Sequence, residues 1–551
     1  MAFQEAMWSN SVWSRDTYNI ALRHPEQRNR PSNHVSGNGR LPAPREPVST
    51  WSTDTDDDDD ENSTLFVTTI CLAHLCAQAG IGQTLPIMKG VESRFRVANA
   101  NNLSSSVSGY AMALGAFILI AGRLGKIFGH KPVFMMGLVW SAIWSLIVGA
   151  SFYSNQSLFI ASRAFQGLGS ALTLPTGLAL LKALHPTDTR ETVIMSLYAA
   201  MSPTGLILGA LGAGILDKLA WWSWVYWAFS ITLVALRTIS RFIIPPTIPA
   251  KRRPSGLRAA TSVFDAPGMI TSITFLGLFG FAWGQAHVGG WQQGYIWIIL
   301  IISVVLAAAF VMIETWYAQE PLVPSSTLSW EVFWILVAIG SGWSCFGIWL
   351  FYGWQFVERL RSASPLMTTA YFTPILAVGC FAAVTTRLIL RRFGPHGVLC
   401  VALLAILLAS VLIATMPVRQ SYWQQLFISA VFMAWGLYTS IPAATSMISR
   451  AARKRLGGIA ASLVWVATYY GMGLGLAVAG TAEHSAMSGK LTIHNRLRGH
   501  RAVYWTSVAL AGLGLAVCLA LTFASGSTYL PTADSEREGI ATTKGSAIVN
   551  M

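Results

Sequence analysis

The chain has 551 residues, of which 53% are hydrophobic and only 11% charged, and it carries a formal net charge of +14. Globular domains average roughly 25% charged residues, so this composition excludes an ordinary soluble protein. The bases form short clusters at the ends of apolar segments, where topology determinants sit, which argues against nucleic acid as a partner.

Residues 1–63 are polar, rich in Asn, Pro, Arg and Ser, and end in an acidic run at 56–61. Such a stretch cannot bury a core and reads as a disordered cytosolic tail. It carries no apolar region of the kind a secretory signal needs. From Thr64 onward we read fourteen apolar spans, beginning near residues 65, 105, 132, 157, 192, 221, 267, 295, 330, 364, 397, 423, 457 and 502. Each has the ~20 residues needed to cross a bilayer core. Lipid offers a backbone no partners, so the spans must be helices, and the alternation of a β-barrel is absent. The expected fold class is all-α integral membrane.

The loops after spans 2, 6, 10 and 12 are basic: Arg123, Lys126 and Lys131; Lys251, Arg252, Arg253 and Arg258; Arg387, Arg391 and Arg392; Arg450, Arg453, Lys454 and Arg455. This bias places both termini in the cytosol, although Arg94, Arg96 and the loop at 490–501 run against it. The sequons at Asn102 and Asn155 then fall outside and are candidate glycosylation sites. A third, at Asn62, falls on the cytosolic side. All six cysteines lie within apolar spans without ligand spacing, so neither a disulfide framework nor a metal site is expected.

Arg387 through Gly394 echoes Arg123 through Gly129, a sign of two repeated halves. The boundaries that follow are a six-helix bundle at 64–245, a basic linker at 246–266, an inserted helix pair at 267–328, a second bundle at 329–526 and a tail at 527–551. In the first loop, Gly122, Gly125 and Gly129 allow a sharp turn between closely packed helices. Its cations, Arg123, Lys126 and Lys131, can pair with acids or helix C-termini of the opposite bundle.

Arg163 lies inside span 4 on one face with Gln166, Gly167 and Ser170. A charge at depth must find a partner in the bundle interior, unless it reaches back to the cytosolic interface. In span 5, Gly205, Gly209 and Gly212 share a face on which a neighbouring backbone can approach. His74, Gln78 and Gln83 in span 1 either contact substrate or satisfy neighbouring helices. Span 9 is aromatic, with Trp343, Phe346, Trp349, Phe351, Tyr352 and Trp354 before Gln355. These rings form either an interfacial belt or a surface for a planar substrate. Glu314 reads as interfacial.

The loop Gly122-Arg123-Leu124-Gly125-Lys126 through Gly129-His130-Lys131 and the run Arg163-Ala164-Phe165-Gln166-Gly167 resemble signature motifs of the major facilitator superfamily. With fourteen spans, the chain is similar to the fungal 14-spanner drug:proton antiporters. Gln78 through Gln83 and Trp221-Trp222-Ser223-Trp224 resemble the aminotriazole-resistance and boron-efflux branch of that family. The resemblance covers about residues 65–525. It implies two six-helix bundles plus an inserted pair, rocking about a midplane cavity to export a small toxic molecule or secondary metabolite. The energy source would be inward proton flow at the cell membrane, with no cofactor and as a monomer. Gly122, Arg123, Gly125, Lys126, Gly129, Lys131, Arg163, Gln166 and Gly167 would serve gating and coupling, with His74 a candidate proton carrier.

Two departures stand out. Lys126 occupies the place of a family aspartate, and Ala210 that of an antiporter proline. An importer or facilitator of a small nutrient or ion (ammonium, borate, polyamine or siderophore) would share these motifs, as would a non-transporting protein of the same fold. A nucleotide-driven pump would need G-x-x-x-x-G-K-[ST], which the chain lacks. No enzyme activity is expected.

Overall fold

The computed structural model describes residues 56–96, 103–184, 189–245, 265–318, 321–324, 329–451, 457–487 and 492–524, and all regular elements among them are helices. Residues 1–55 of the expected tail, the linker up to residue 264, the tail at 527–551 and Asn102 lie outside the described residues. The acidic run at 56–61, read as part of that tail, forms the first turns of a helix.

In chain order the helices are α1 (Asp56–Gly82), a short α2 (Met88–Phe95), α3 (Ser104–Phe128), α4 (His130–Ala150), α5 (Gln156–Leu184), α6 (Thr189–Leu219) and α7 (Ser223–Ile243). Then follow α8 (Ala266–Gly289), α9 (Gly294–Met312), α10 (Trp330–Gln355), a short α11 (Pro365–Phe372), α12 (Pro374–Thr415), α13 (Leu426–Ala451), α14 (Gly457–Ala486) and α15 (Ile493–Ala524). Among the described residues, twelve stretches are long and apolar enough to cross a membrane.

One of these stretches, Pro365–Thr415, is 51 residues long and contains α12. The 42 residues of α12 would measure ~63 Å as a straight helix. The helix breaks at Gly394, whose φ of 69° and ψ of 165° are non-helical, and Pro395 follows. Gly129, between α3 and α4, likewise has φ 95°. Both positions need glycine, because a side chain clashes with the backbone at such angles. The echo between the two loops is thus a structural repeat: a basic helix end, then a left-handed glycine turn.

α1 and α3–α7 pack together, as do α10 and α12–α15, and the two groups meet where α3 lies on α14 and α6 on α12. Along the α3–α14 seam, Ser108 Oγ donates to Gly473 O at 2.9 Å, and a Cβ at Gly115 would come 2.6 Å from Tyr470 N. The α8–α9 pair covers this seam. Tyr470 OH donates to Leu276 O at 2.8 Å, tying α14 to α8. On α9, Ile298, Ile301, Val304 and Val305 are exposed, an apolar face suited to lipid.

Candidate functional site

Halfway along the helices, polar side chains converge from both groups. His74 of α1 is buried with its ring centroid 4.2 Å from that of Tyr198 on α6. One turn on, Gln78 Nε2 lies 3.4 Å from His74 Nε2 and donates to the hydroxyl of Tyr469 on α14. Tyr469 faces Trp343 of α10 at 6.5 Å between centroids, and Trp343 stacks edge-on against Phe346 at 5.6 Å. The Trp343 indole donates to Ser440 Oγ of α13 at 3.3 Å. Ser202 and Pro203 of α6 approach Tyr438 of α13 and Gly379 of α12, where a Cβ would sit 2.9 Å from Pro203 Cγ. Pro203, inside α6, therefore sits at the junction of the two groups.

This layer unites His74, Gln78, Trp343 and Phe346, but not the other two candidates. Gln83 is buried beyond the end of α1, and Gln355 lies twelve positions past Trp343, ~18 Å along a helix. The remaining span 9 aromatics are core, neither belt nor cavity. Trp349 and Trp354 pack on Phe372, and Trp349 also donates to Ser429 Oγ at 2.7 Å. The tyrosines at 469, 438 and 198 were missed in the sequence; their only signal was a phenol inside an apolar run.

Arg163 is fully buried within the first group. It donates to Gln166 Oε1 and, at 2.7 Å, to Gly80 O of α1; its guanidinium lies 4.5 Å from the Tyr110 ring of α3 and 5.7 Å from the Tyr226 ring of α7. Arginine's planar fork and weak hydration suit such a site, where carbonyl and π-faces stand in for an acid. The side chain does not reach an interface. It ties α1, α3, α5 and α7 into one unit. Close packing supports it: a Cβ at Gly167 would overlap Tyr110 O, and one at Gly80 would overlap the Tyr110 hydroxyl.

Gly205 and Gly209 pack as expected, against Leu75 O and Ala79 of α1, but a Cβ at Gly212 meets nothing within 4 Å. The same holds at Gly122, whereas a Cβ at Gly125 would overlap His130 Nδ1. Lys131 Nζ caps the end of α7, donating to Arg241 O at 3.0 Å and to Ile244 O. That helix C-terminus belongs to its own bundle, not the opposite one. Arg123 and Lys126 line a pocket with Lys182, Pro321, Leu322, Ser462 and Trp465. Asn155 is exposed and caps α5 through Oδ1, 2.9 Å from Leu158 N.

At the face where α1 ends, two ion pairs cross between the groups. Lys89 of α2 meets Glu358, which follows α10, at 3.4 Å and also donates to its carbonyl at 3.1 Å. Arg359 pairs with Glu92. This face is latched. The opposite face carries the pocket beside Lys126.

Residues 70–476 match the family model described as Major Facilitator Superfamily. The chain is 41% identical to the low affinity ammonium transporter of Saccharomyces cerevisiae, over 82% of this chain and 87% of that one. It is 35% identical to the efflux pump terJ of Aspergillus terreus, over 82% and 86% respectively. With the aminotriazole resistance protein of Saccharomyces cerevisiae it shares 33% over 82% of each. Among solved structures, the nucleoside transporter NupG superposes with a TM-score of 0.53 at 12% identity, covering 85% of this chain and 100% of that one, a likeness of fold alone.

Proposed function

The chain belongs to the major facilitator superfamily and is a multi-pass membrane transporter; we propose that it exports a drug, toxin or secondary metabolite by alternating access, driven by inward proton flow across the cell membrane. The observation that carries this reading is the polar layer where Gln78 of one bundle meets Tyr469 of the other. A site made jointly by two rigid groups is exposed to each side in turn when they rock. The cross-bundle ion pairs at one face and the pocket at the other make the two ends of the seam unlike, as alternating access requires. The resemblance to a protein named an efflux pump supports the direction.

We count fourteen crossings. The stretch Pro365–Thr415 divides at Gly394 into two, and α7, with 21 residues, spans ~31 Å despite its arginines. The even count and the basic loops favour both termini in the cytosol, which makes the latched face the outer one. Asn155 then lies outside, available for glycosylation.

The second reading, a facilitator for a small nutrient such as ammonium, has its own support. It draws on the 41% identity to a protein named an ammonium transporter, and on a midplane layer of amide, imidazole and phenol groups. Each neutral hydrogen bond there is worth only about 1 kcal/mol net, which fits weak binding of a small polar solute.

Flux from sealed proteoliposomes with an imposed pH gradient separates the readings. The panel comprises labelled toxins and methylammonium. Gradient-driven extrusion of a toxin, collapsed by a protonophore, supports the exporter. Downhill methylammonium flux indifferent to the gradient supports the facilitator. Correctly inserted protein that moves neither solute would sink both.

A further inference from the structure

Asp265 and Glu314 meet at the cytosolic end of the inserted pair, where α8 begins and α9 ends. Both are buried, 4% and 2% exposed, so Glu314, read in the sequence as interfacial, is shielded by the protein. Asp265 sits in the left-handed region at φ 47° and caps α8, accepting from Gly268 N at 3.3 Å. Its second oxygen accepts from Leu322 N at 3.2 Å. Glu314 Oε2 accepts from Val323 N at 3.2 Å. The two acids thus hold adjacent amides of one short segment. Glu314 Oε1 finds no donor among the described residues, and the Asp265 carboxyl is its neighbour.

Two carboxylates cannot share a hydrogen bond without a proton between them, and like charges so close in a dry setting repel strongly. Asp265 already accepts two amide protons, one on each oxygen. The vacant position for a donor is therefore Glu314 Oε1.

What the pair holds bears on transport. Leu322 and Val323 are buried in a cluster with Ile120 of α3, Leu463 of α14 and Phe310 of α9. They form a wedge across the seam between the two bundles, and the far side of Pro321 and Leu322 walls the pocket beside Lys126. We infer that Asp265 and Glu314 form a proton-binding site whose single shared proton clips the 321–323 wedge into the cytosolic end of the bundle seam. Loss of the proton leaves two adjacent carboxylates, which separate and release the wedge. This deepens the transporter reading by giving the inserted pair a coupling role, and its consequence for flux rests on that reading.

Other charged groups on the packed elements are few. α3 offers Arg123 and Lys126 and α5 offers Lys182, all lining the pocket beyond Pro321 and Leu322; from α14 that pocket receives Ser462 and Trp465, without charge. Apart from Asp265 and Glu314, the described parts of α8, α9 and the turn Ile313–Tyr317 add no carboxylate or basic chain nearby.

The test reads the proton without reading transport. Dicyclohexylcarbodiimide adds to protonated carboxyls in apolar surroundings, giving an N-acylurea that mass spectrometry locates. In membranes holding the full chain, Glu314 should label, with the rate falling about tenfold per pH unit above the titration of the pair. Asp265→Asn supplies an amide donor in place of the second acid, lets Glu314 ionise and should suppress the labelling at the same pH. A second readout follows the wedge: the rate of Pro321→Cys with an impermeant maleimide, divided by that of a free thiol at the same pH to remove the thiolate fraction, should increase as pH rises. Adding Glu314→Gln, whose amide donates permanently, should keep that ratio low at every pH. Labelling of Glu314 that ignores both pH and Asp265→Asn overturns the site. A ratio to the free thiol that does not change with pH overturns the clip. Both readouts decide the matter whether or not proton-driven flux is found.

Discussion

The two ends of the bundle seam are closed by opposite kinds of chemistry. At the latched end, the outer one in the proposed topology, charges of opposite sign reach across from different bundles, Lys89 to Glu358 and Arg359 to Glu92. At the opposite end, the inner one in the proposed topology, two acids of one inserted element, Asp265 and Glu314, hold an apolar wedge between the bundles. The first closure depends on Coulomb attraction between moving bodies. The second depends on packing. Salt reaches the Lys89 pair, since Lys89 keeps about half of its side chain exposed (48%), and 1 M salt shortens the Debye length to ~3 Å. The buried wedge offers salt little to screen. Rocking the bundles must therefore break ion pairs at one end and slide a hydrophobic seal at the other.

The comparison breaks most sharply at Arg359→Glu, which sets two acids against each other beside Glu92. Removing a partner from a desolvated pair costs about 3 kcal/mol, roughly a hundredfold shift away from the latched state. Spin labels at positions 155 and 423, both at the outer face, should report a longer distance, and the combined change Glu92→Arg with Arg359→Glu should restore it. Labels at the inner face should respond to pH far more than to salt. A distance unmoved by Arg359→Glu would mean that the outer pairs decorate a closure made by packing.

At the inner end, two glycines that look alike in the sequence should behave oppositely. Gly394 has φ 69° with open space around it, so Gly394→Ala should cost about 1–2 kcal/mol through the backbone alone. Gly122 lies inside α3, also with nothing within 4 Å, so Gly122→Ala should stabilise by about 0.5–1 kcal/mol as helix entropy is saved. Thermal unfolding in detergent gives both signs. Equal effects would remove the case for a repeated left-handed turn closing each bundle's inner hairpin.

These glycines also mark what was legible in the sequence. Span length and hydropathy are local, so the helices and the echo of Gly129 in Gly394 could be read directly. The sequence also put Arg163 inside an apolar run, but left open whether it stays at depth or reaches back to an interface. Its partners could not be read: Gly80 is 83 residues away, and a carbonyl has no sequence signature. The same limit hid Tyr469 from Gln78, 391 residues apart, and Glu358 from Lys89, 269 apart. Lys126 shows the converse. Its place in the motif was plain, yet the pocket it lines is built by α5, α14 and the segment at 321–322.

The smallest effect belongs to the midplane, which lies between the two closures and should favour neither. Tyr469→Phe removes the hydroxyl that Gln78 meets, but the Gln78 amide stays within 3.4 Å of His74 Nε2 and keeps a partner. The stability change should stay below about 1 kcal/mol. Substrate, which would use the same hydroxyl, should bind more weakly by up to about fivefold, seen in KM with kcat unchanged. Spin-label distances at both faces should hold still. If kcat falls instead and the outer distance lengthens, the bond between Gln78 and Tyr469 is a third closure in the middle of the seam. The polar layer would then act as a gate before it acts as a binding site.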